Sequence, residues 1–281
     1  MLSARIDNLH RALDELARVP DSEWQSSLNS RKRAELEFHD SNRDRRSRPG
    51  LSQDTYERFY GNKKYYAATE DSTQYVNDWI ERHAPGKVFL DYACGQGGNT
   101  VRAAKAGAAL AIGIDISPVS IENARNDAAA AGVSANTYFV QADAENTRLP
   151  PECADIIICS GMLHHLDISF AFPELRRILA ENGRILAVEA LNYNPAIKLY
   201  RMLTPDMRTD WEKQHILSLK DVRFAERFFN IGEIRYWHIT SILSPHVPAL
   251  GAAFCRLDRA LTQIPLVRLL AWIFTFELLK R

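Results

Sequence analysis

Between residues 87 and 190 short apolar runs alternate with stretches whose apolar positions recur every three or four residues. Runs of the first kind read as strands and stretches of the second kind as helices. KVFLDY opens the series, a helix from near Gly97 to Gly107 follows, and LAIGID is the second strand. SPVSIENARNDAAAAG predicts a helix with Ser117 as N-cap, Pro118 in its first turn and Gly132 at its end. NTYFVQ is the third strand, and ADIIICS, an unbroken apolar run, suits a fourth strand buried on both faces. FPELRRILAENG predicts a helix closing on Gly183, and RILAVEA a fifth strand. Such alternation implies right-handed crossovers and a parallel sheet.

The flanks depart from this pattern. Leu2, Ile6, Leu9, Leu13 and Leu16 lie at helical spacing before Pro20, and RKRAELEFHD reads as a further short helix. STQYVNDWIERHA is a helix leading into the first strand. Residues 192–232 form a polar, aromatic helical insertion placed where a lid over the strand ends would be. EIRYWHITSI is a sixth strand, residues 247–270 are mostly helical, and AWIFTFELLKR is a last strand. The expected fold is α/β: a doubly wound, Rossmann-like, mostly parallel seven-stranded sheet with an antiparallel last strand. The expected divisions are an N-terminal helical cap over 1–70 and a Rossmann-like domain over 71–281 with a lid about 192–232.

Composition narrows the classes. Lys+Arg and Asp+Glu both number 35 in 281 residues, a balance unlike that of a general nucleic-acid binder. Cys94, Cys153, Cys159 and Cys255 form no CxxC pair, as expected of a reduced, cytoplasmic protein without a zinc site. The N-terminal stretch carries acids and makes a poor signal peptide, and no stretch approaches the ~20 apolar residues of a membrane span. The apolar C-terminal region reads as core or as a contact surface, either with a second copy in a homodimer or peripherally with a membrane.

The chemistry concentrates at the strand ends, where sheets of this kind bind ligands. The turn CGQGGNT has Gly95 and Gly97, but Thr100 stands where a dinucleotide fingerprint needs its third glycine. No Gly-Lys-Ser/Thr follows, which excludes a P-loop. Asp91, at the end of the first strand, would repel a pyrophosphate and attract an ammonium. A nucleoside with a cationic arm and no phosphate fits. Asp115 ends the second strand, 20 residues past Gly95, where a carboxylate can accept hydrogen bonds from ribose hydroxyls. Asp143 ends the third.

VFLDYACGQGG resembles motif I of the class I S-adenosylmethionine-dependent methyltransferases, with Ala93 in place of the usual first glycine, and the resemblance runs from about Gly86 to Ala190. It implies S-adenosyl-L-methionine as cofactor and S-adenosyl-L-homocysteine as product. It also implies that Asp91, Ala93, Gly95 and Gly97 bind the cofactor and that Ile116 packs on adenine. Asp143 and Ala144 would bond the ring, and Ser160 and Gly161 would lie near the methionine. A His-His pair after the fourth strand occurs in O-methyltransferases of this family, so His165, then His164, are the candidate general bases. Caps on both sides of the catalytic end imply a small-molecule acceptor, a hydroxyl of a glycan-like or natural-product compound. Carbon methylation of a prenyl, quinone or aromatic acceptor and a non-catalytic cofactor-binding homologue are the alternatives. Tyr60, Tyr65 and Tyr66, in an aromatic-rich stretch, together with Glu189 and His215, are candidates for the acceptor pocket; His39 is a further histidine candidate. The arginine-rich loop 43–48 reads as a solvated connector or as a clamp for an anionic group. No ligand spacing suggests a metal.

Overall fold

The computed structural model describes residues 2–44, 67–204 and 208–281. Seven strands run β1 (Val88–Tyr92), β2 (Leu110–Asp115), β3 (Thr137–Gln141), β4 (Ala154–Ser160), β5 (Leu179–Ala190), β6 (Phe229–Trp237) and β7 (Ile273–Lys280). They form one sheet in the order β3-β2-β1-β4-β5-β7-β6. The first five are parallel, and β7 enters antiparallel between β5 and β6. The chain reverses its lateral direction between β3 and β4, which places a crevice at the carboxyl ends of β1 and β4.

Helices cover the sheet: α1 (Leu2–Ala17), α2 (Asp21–Ser27), α3 (Ser30–Arg43), α4 (Glu70–His83), α5 (Gly98–Lys105), α6 (Pro118–Ala130) and α7 (Ile168–Ile178). The segment after β5 supplies α8 (Pro195–Leu203), α9 (Asp210–Gln214) and α10 (Leu219–Ala225), and α11 (Gly251–Leu261) precedes β7. Every residue of β1 and β2 is buried, the burial expected of central parallel strands. Leu9, Leu13 and Leu16 of α1 join the core that holds Leu90, Ile112 and Phe172. Ser117 caps α6 by accepting from the Ser120 N–H at 3.0 Å, with Pro118 in the first turn. Among the described residues no helix is long and apolar enough to cross a membrane.

Two boundaries depart from the sequence pattern, and a glycine is responsible for each. The helix expected to close on Gly183 ends at Ile178, and β5 already begins at Leu179. Leu179 pairs with Ala154 and Arg184 with Ile156, with the residues between bulged outward around Asn182 (φ 59°). A Cβ on Gly183 would stand 2.8 Å from the Ala180 carbonyl and 2.9 Å from that of Asp155, so the glycine permits a close backbone approach within the sheet. Similarly, the sixth strand opens at Phe229 rather than Glu233 and ends at Trp237, so the helical insertion stops short of residue 232. Gly232 sits in a bulge of β6 facing Glu277, and Phe229 is fully buried against Phe172.

Candidate active site

The turn after β1 is built to keep its backbone tight. Gly95 and Gly97 have φ of 54° and 76°, and a Cβ on Gly97 would stand 2.7 Å from the Phe139 ring and 2.8 Å from Ala124. Ala93 shares the left-handed conformation at φ 58°. Asp91 lies beneath the turn, 2% exposed, and accepts from the N–H (3.2 Å) and hydroxyl (3.0 Å) of Thr100 in the first turn of α5. Burial pushes its carboxyl up to about 7 despite hydrogen bonds from Thr100 and Asn99. Asp115 organises the same turn: it accepts from Gly95 N at 2.8 Å and from Ser117 N at 2.9 Å.

Two cavities meet at the strand ends. The first is walled by Ala93, Gly95, Asp115, Ile116, Asp143 and Ala144 on one side, and by Ser160, Gly161 and His165 on the other. Helix α3 closes it: Arg31, Glu35, His39 and Arg43, four residues apart along one face, all line it together with Lys32. Their charges meet those of the strand ends. Arg31 bonds Glu145 at 2.5 Å, Lys32 bonds Asp143 at 2.6 Å, and Arg43 lies 3.3 Å from Asp115. The acidic rim is therefore answered by cations from the cap. Arg43 also passes over the glycine turn, with its guanidinium 3.6 Å from where a Gly95 Cβ would be.

The second cavity, of about 670 Å³, lies across Ser160 and Gly161 from the first, and these two residues wall both. Trp272, Ile197, Ile242 and Leu243 give it an apolar lining, while His164, Glu189, Arg201, Arg208 and Glu212 supply polar groups. Adjacent histidines thus face different spaces. His164 Nδ1 stands 2.6 Å from Glu189 Oε2, and the other oxygen of Glu189 accepts from Met162 N and Leu163 N at 2.8 and 2.7 Å. Burial disfavours the charged form of His164, but Glu189 and Glu212 outweigh it and raise its pKa above 6.5. His165 Nδ1 stands 2.9 Å from Glu35 Oε2. His39, mostly buried and beside Arg43, is driven down to about 2 and stays neutral.

Of the residues expected to hold the cofactor, eight wall the first cavity, while Asp91 and Gly97 support it from below. Glu189 and His164 belong to the second cavity and His165 to the first. His215 lines neither: it stacks on Trp211 with ring centroids 3.6 Å apart. Tyr60, Tyr65, Tyr66 and all but the first two residues of the loop 43–48 lie outside the described residues. Arg31, Lys32, Glu35 and Glu145 were missed, although titratable residues at 31, 35, 39 and 43 already mark one helical stripe, and Arg43, expected to open the arginine-rich loop, instead ends α3. Ligand spacing also gave no hint of metal-capable groups. Glu35, His39 and His165, and separately His164, His165 and Glu212, bring donor atoms within 4.8 Å of one another. The adjacent rings of His164 and His165 lie 4.3 Å apart, tilted by 37°.

Comparison with known proteins agrees with this geometry. Residues 89–183 match the family model described as a methyltransferase domain. The chain is 30% identical over 123 residues to the 27-O-demethylrifamycin SV methyltransferase of Amycolatopsis mediterranei (strain S699), covering 42% of this chain and 45% of that one. It is 28% identical over 150 residues to the ribosomal protein L11 methyltransferase of Pasteurella multocida (strain Pm70), 51% of this chain and 50% of that one. The chain thus spans about half the length of these curated relatives. Among solved structures, the geranyl diphosphate C-methyltransferase of Streptomyces coelicolor A3(2) superposes with a TM-score of 0.61 at 12% identity, covering 90% of this chain and 99% of that one. At that identity the likeness is one of fold. Strand order, glycine turn and strand-end acids define a nucleoside-binding sheet of Rossmann-like type. Over residues 89–183 the chain is similar to methyltransferase domains.

Proposed function

We propose that this protein transfers the methyl group of S-adenosylmethionine to a hydroxyl of a small-molecule acceptor of natural-product type. One observation carries the proposal: a cavity lined by strand-end acids and an apolar cavity with a histidine–carboxylate pair meet at Ser160 and Gly161. The first cavity suits the donor. Asp115 would take the ribose hydroxyls, Asp143 and Ala144 the adenine, and the glycine turn the methionine part. The second suits the acceptor, and its apolar walls favour a hydrophobic body over a bare sugar.

Bound there, S-adenosylmethionine supplies a methyl group on a positively charged sulfur. The chain's task is alignment and proton removal. Glu189 accepts from His164 Nδ1–H, which leaves Nε2 with its lone pair toward the cavity. Nε2 would take the hydroxyl proton as the acceptor oxygen receives the donor's methyl group, and Glu189 would hold the imidazolium that forms. His165, held by Glu35, belongs to the donor side and fixes α3 over the cofactor.

Calorimetric titration with S-adenosylhomocysteine and with NAD tests the donor assignment: the first is expected to bind one per chain and the second not at all. Labelled-methyl transfer to a panel of hydroxylated hydrophobic compounds tests the rest. His164→Ala is expected to abolish turnover and leave the affinity for S-adenosylhomocysteine intact, whereas unchanged turnover would remove His164 from the mechanism.

A further inference from the structure

The second cavity sets two arginines, Arg201 and Arg208, beside two carboxylates, Glu189 and Glu212. Glu189 is satisfied by two backbone N–H groups and His164. Glu212 lies 3.3 Å from Arg208 Nε and 3.8 Å from His164 Nε2. His246 also faces the cavity. Arg201 is left over. It is largely buried in the cavity wall, and among the described residues no carboxylate pairs with its guanidinium. Burial and the neighbouring charge of Arg208 draw Arg201 down to about 10 against the weaker opposing pull of Glu212 and Glu189, which still leaves it charged at neutral pH.

Local structure presents this charge deliberately. Asn194 caps α8 by accepting from Ala196 N and Ile197 N, which fixes the rotation of the helix. Ile197, Tyr200 and Arg201 then share the face toward the cavity, while Leu199, Met202 and Leu203 point to solvent. Arg208 is held by bonds to the Thr204 carbonyl (2.9 Å) and hydroxyl (3.1 Å), so it too is oriented before any ligand arrives. A largely buried guanidinium with no carboxylate in direct contact is costly, whereas an arriving carboxylate or phosphate can take two parallel N–H bonds from it.

We propose that the acceptor carries an anionic group, a carboxylate or a phosphate ester, seated on Arg201 and Arg208, with its apolar body against Ile197, Trp272 and Leu243 and its hydroxyl toward His164. This rests on the second cavity being the acceptor site. The arginines act in recognition, at the end of the acceptor away from the reacting oxygen.

Calorimetry with three probes of one apolar body tests it: 4-phenylbutyrate, 4-phenylbutyl phosphate and 4-phenylbutanol, each titrated with and without saturating S-adenosylhomocysteine. At least one anion is expected to bind tenfold or more tightly than the alcohol, and the tighter of the two names the acceptor's group. Arg201→Gln should remove that advantage, Arg201→Lys should restore part of it, and Arg208→Gln should reduce it independently. Affinity for S-adenosylhomocysteine should stay unchanged in all three variants. Equal binding of acid and alcohol by the natural protein, or a preference that survives Arg201→Gln and Arg208→Gln, overturns the proposal. Failure of S-adenosylhomocysteine to bind would count against the donor site alone, because the preference is also read without it.

Discussion

Asp115→Asn is the perturbation that separates recognition of the donor from organisation of the turn. In the natural protein the two carboxylate oxygens already accept from Gly95 N and Ser117 N and face Arg43 at 3.3 Å. A ribose diol adds two hydrogen bonds to an ionised acceptor, each worth about 1.5–3 kcal/mol. Asparagine keeps one neutral oxygen, so roughly half to two thirds of that gain is lost, about 1.5–4 kcal/mol, or ~10- to 1000-fold in dissociation constant. Calorimetry with S-adenosylhomocysteine reads this directly. Its 2′,3′-dideoxy analogue completes a double cycle: the analogue should bind weakly to the natural protein and lose little more in the variant. An equal loss on both ligands would mean that Asp115 acts only by holding the turn. A loss below threefold on S-adenosylhomocysteine would remove Asp115 from the donor site.

Other outcomes follow from the same geometry. Gly97→Ala must place a Cβ against Phe139 and Ala124 in a left-handed conformation, and should cost about 2–5 kcal/mol in urea unfolding. Ala93→Gly, in the neighbouring left-handed position, should instead stabilise by about 0.5–1 kcal/mol, the relief of strain less the extra chain entropy of glycine. Asp91 has a folded pKa near 7 against 3.8 for the ordinary carboxyl, so it favours the folded state below pH 3.8 and that contribution is lost as pH rises through 7. Asp91→Asn should therefore gain on the natural protein by a few kcal/mol between pH 5 and pH 8 in paired urea titrations, and a constant difference across that range would refute the assignment. His164 is raised above 6.5, so its pairing with Glu189 stabilises fully below that value and fades as pH rises through its folded pKa; an NMR titration should find it lowered in Glu189→Gln.

The central strands were legible because burial on both faces writes itself as continuous apolar runs, and the glycine turn because its dihedrals admit few other residues. Asp115 and Asp143 could be placed for the same reason: a strand end is easy to find once the strand is. Gly183 and Gly232 misled because a glycine that ends a helix and a glycine that lets two backbones approach within a sheet look alike in sequence. The burial of Asp91 under α5 was hidden, since a strand-end acid can point into the crevice or back toward the following helix. The contribution of α3 was hidden for a different reason. Its charged stripe reads as solvated until the fold brings it across the strand ends, where Arg31, Lys32 and Arg43 meet Glu145, Asp143 and Asp115.

That encounter leaves the donor cavity lined by paired charges, and a crystal structure of the complex with S-adenosylhomocysteine would probe it most directly. The ribose is expected on Asp115 with Arg43 displaced from that carboxylate, the adenine beside Asp143 and Ala144, and the sulfur close to Ser160 and Gly161. Density for the ligand elsewhere, or a cavity that α3 keeps closed at saturating concentration, would contradict the assignment of these strand ends to the methyl donor.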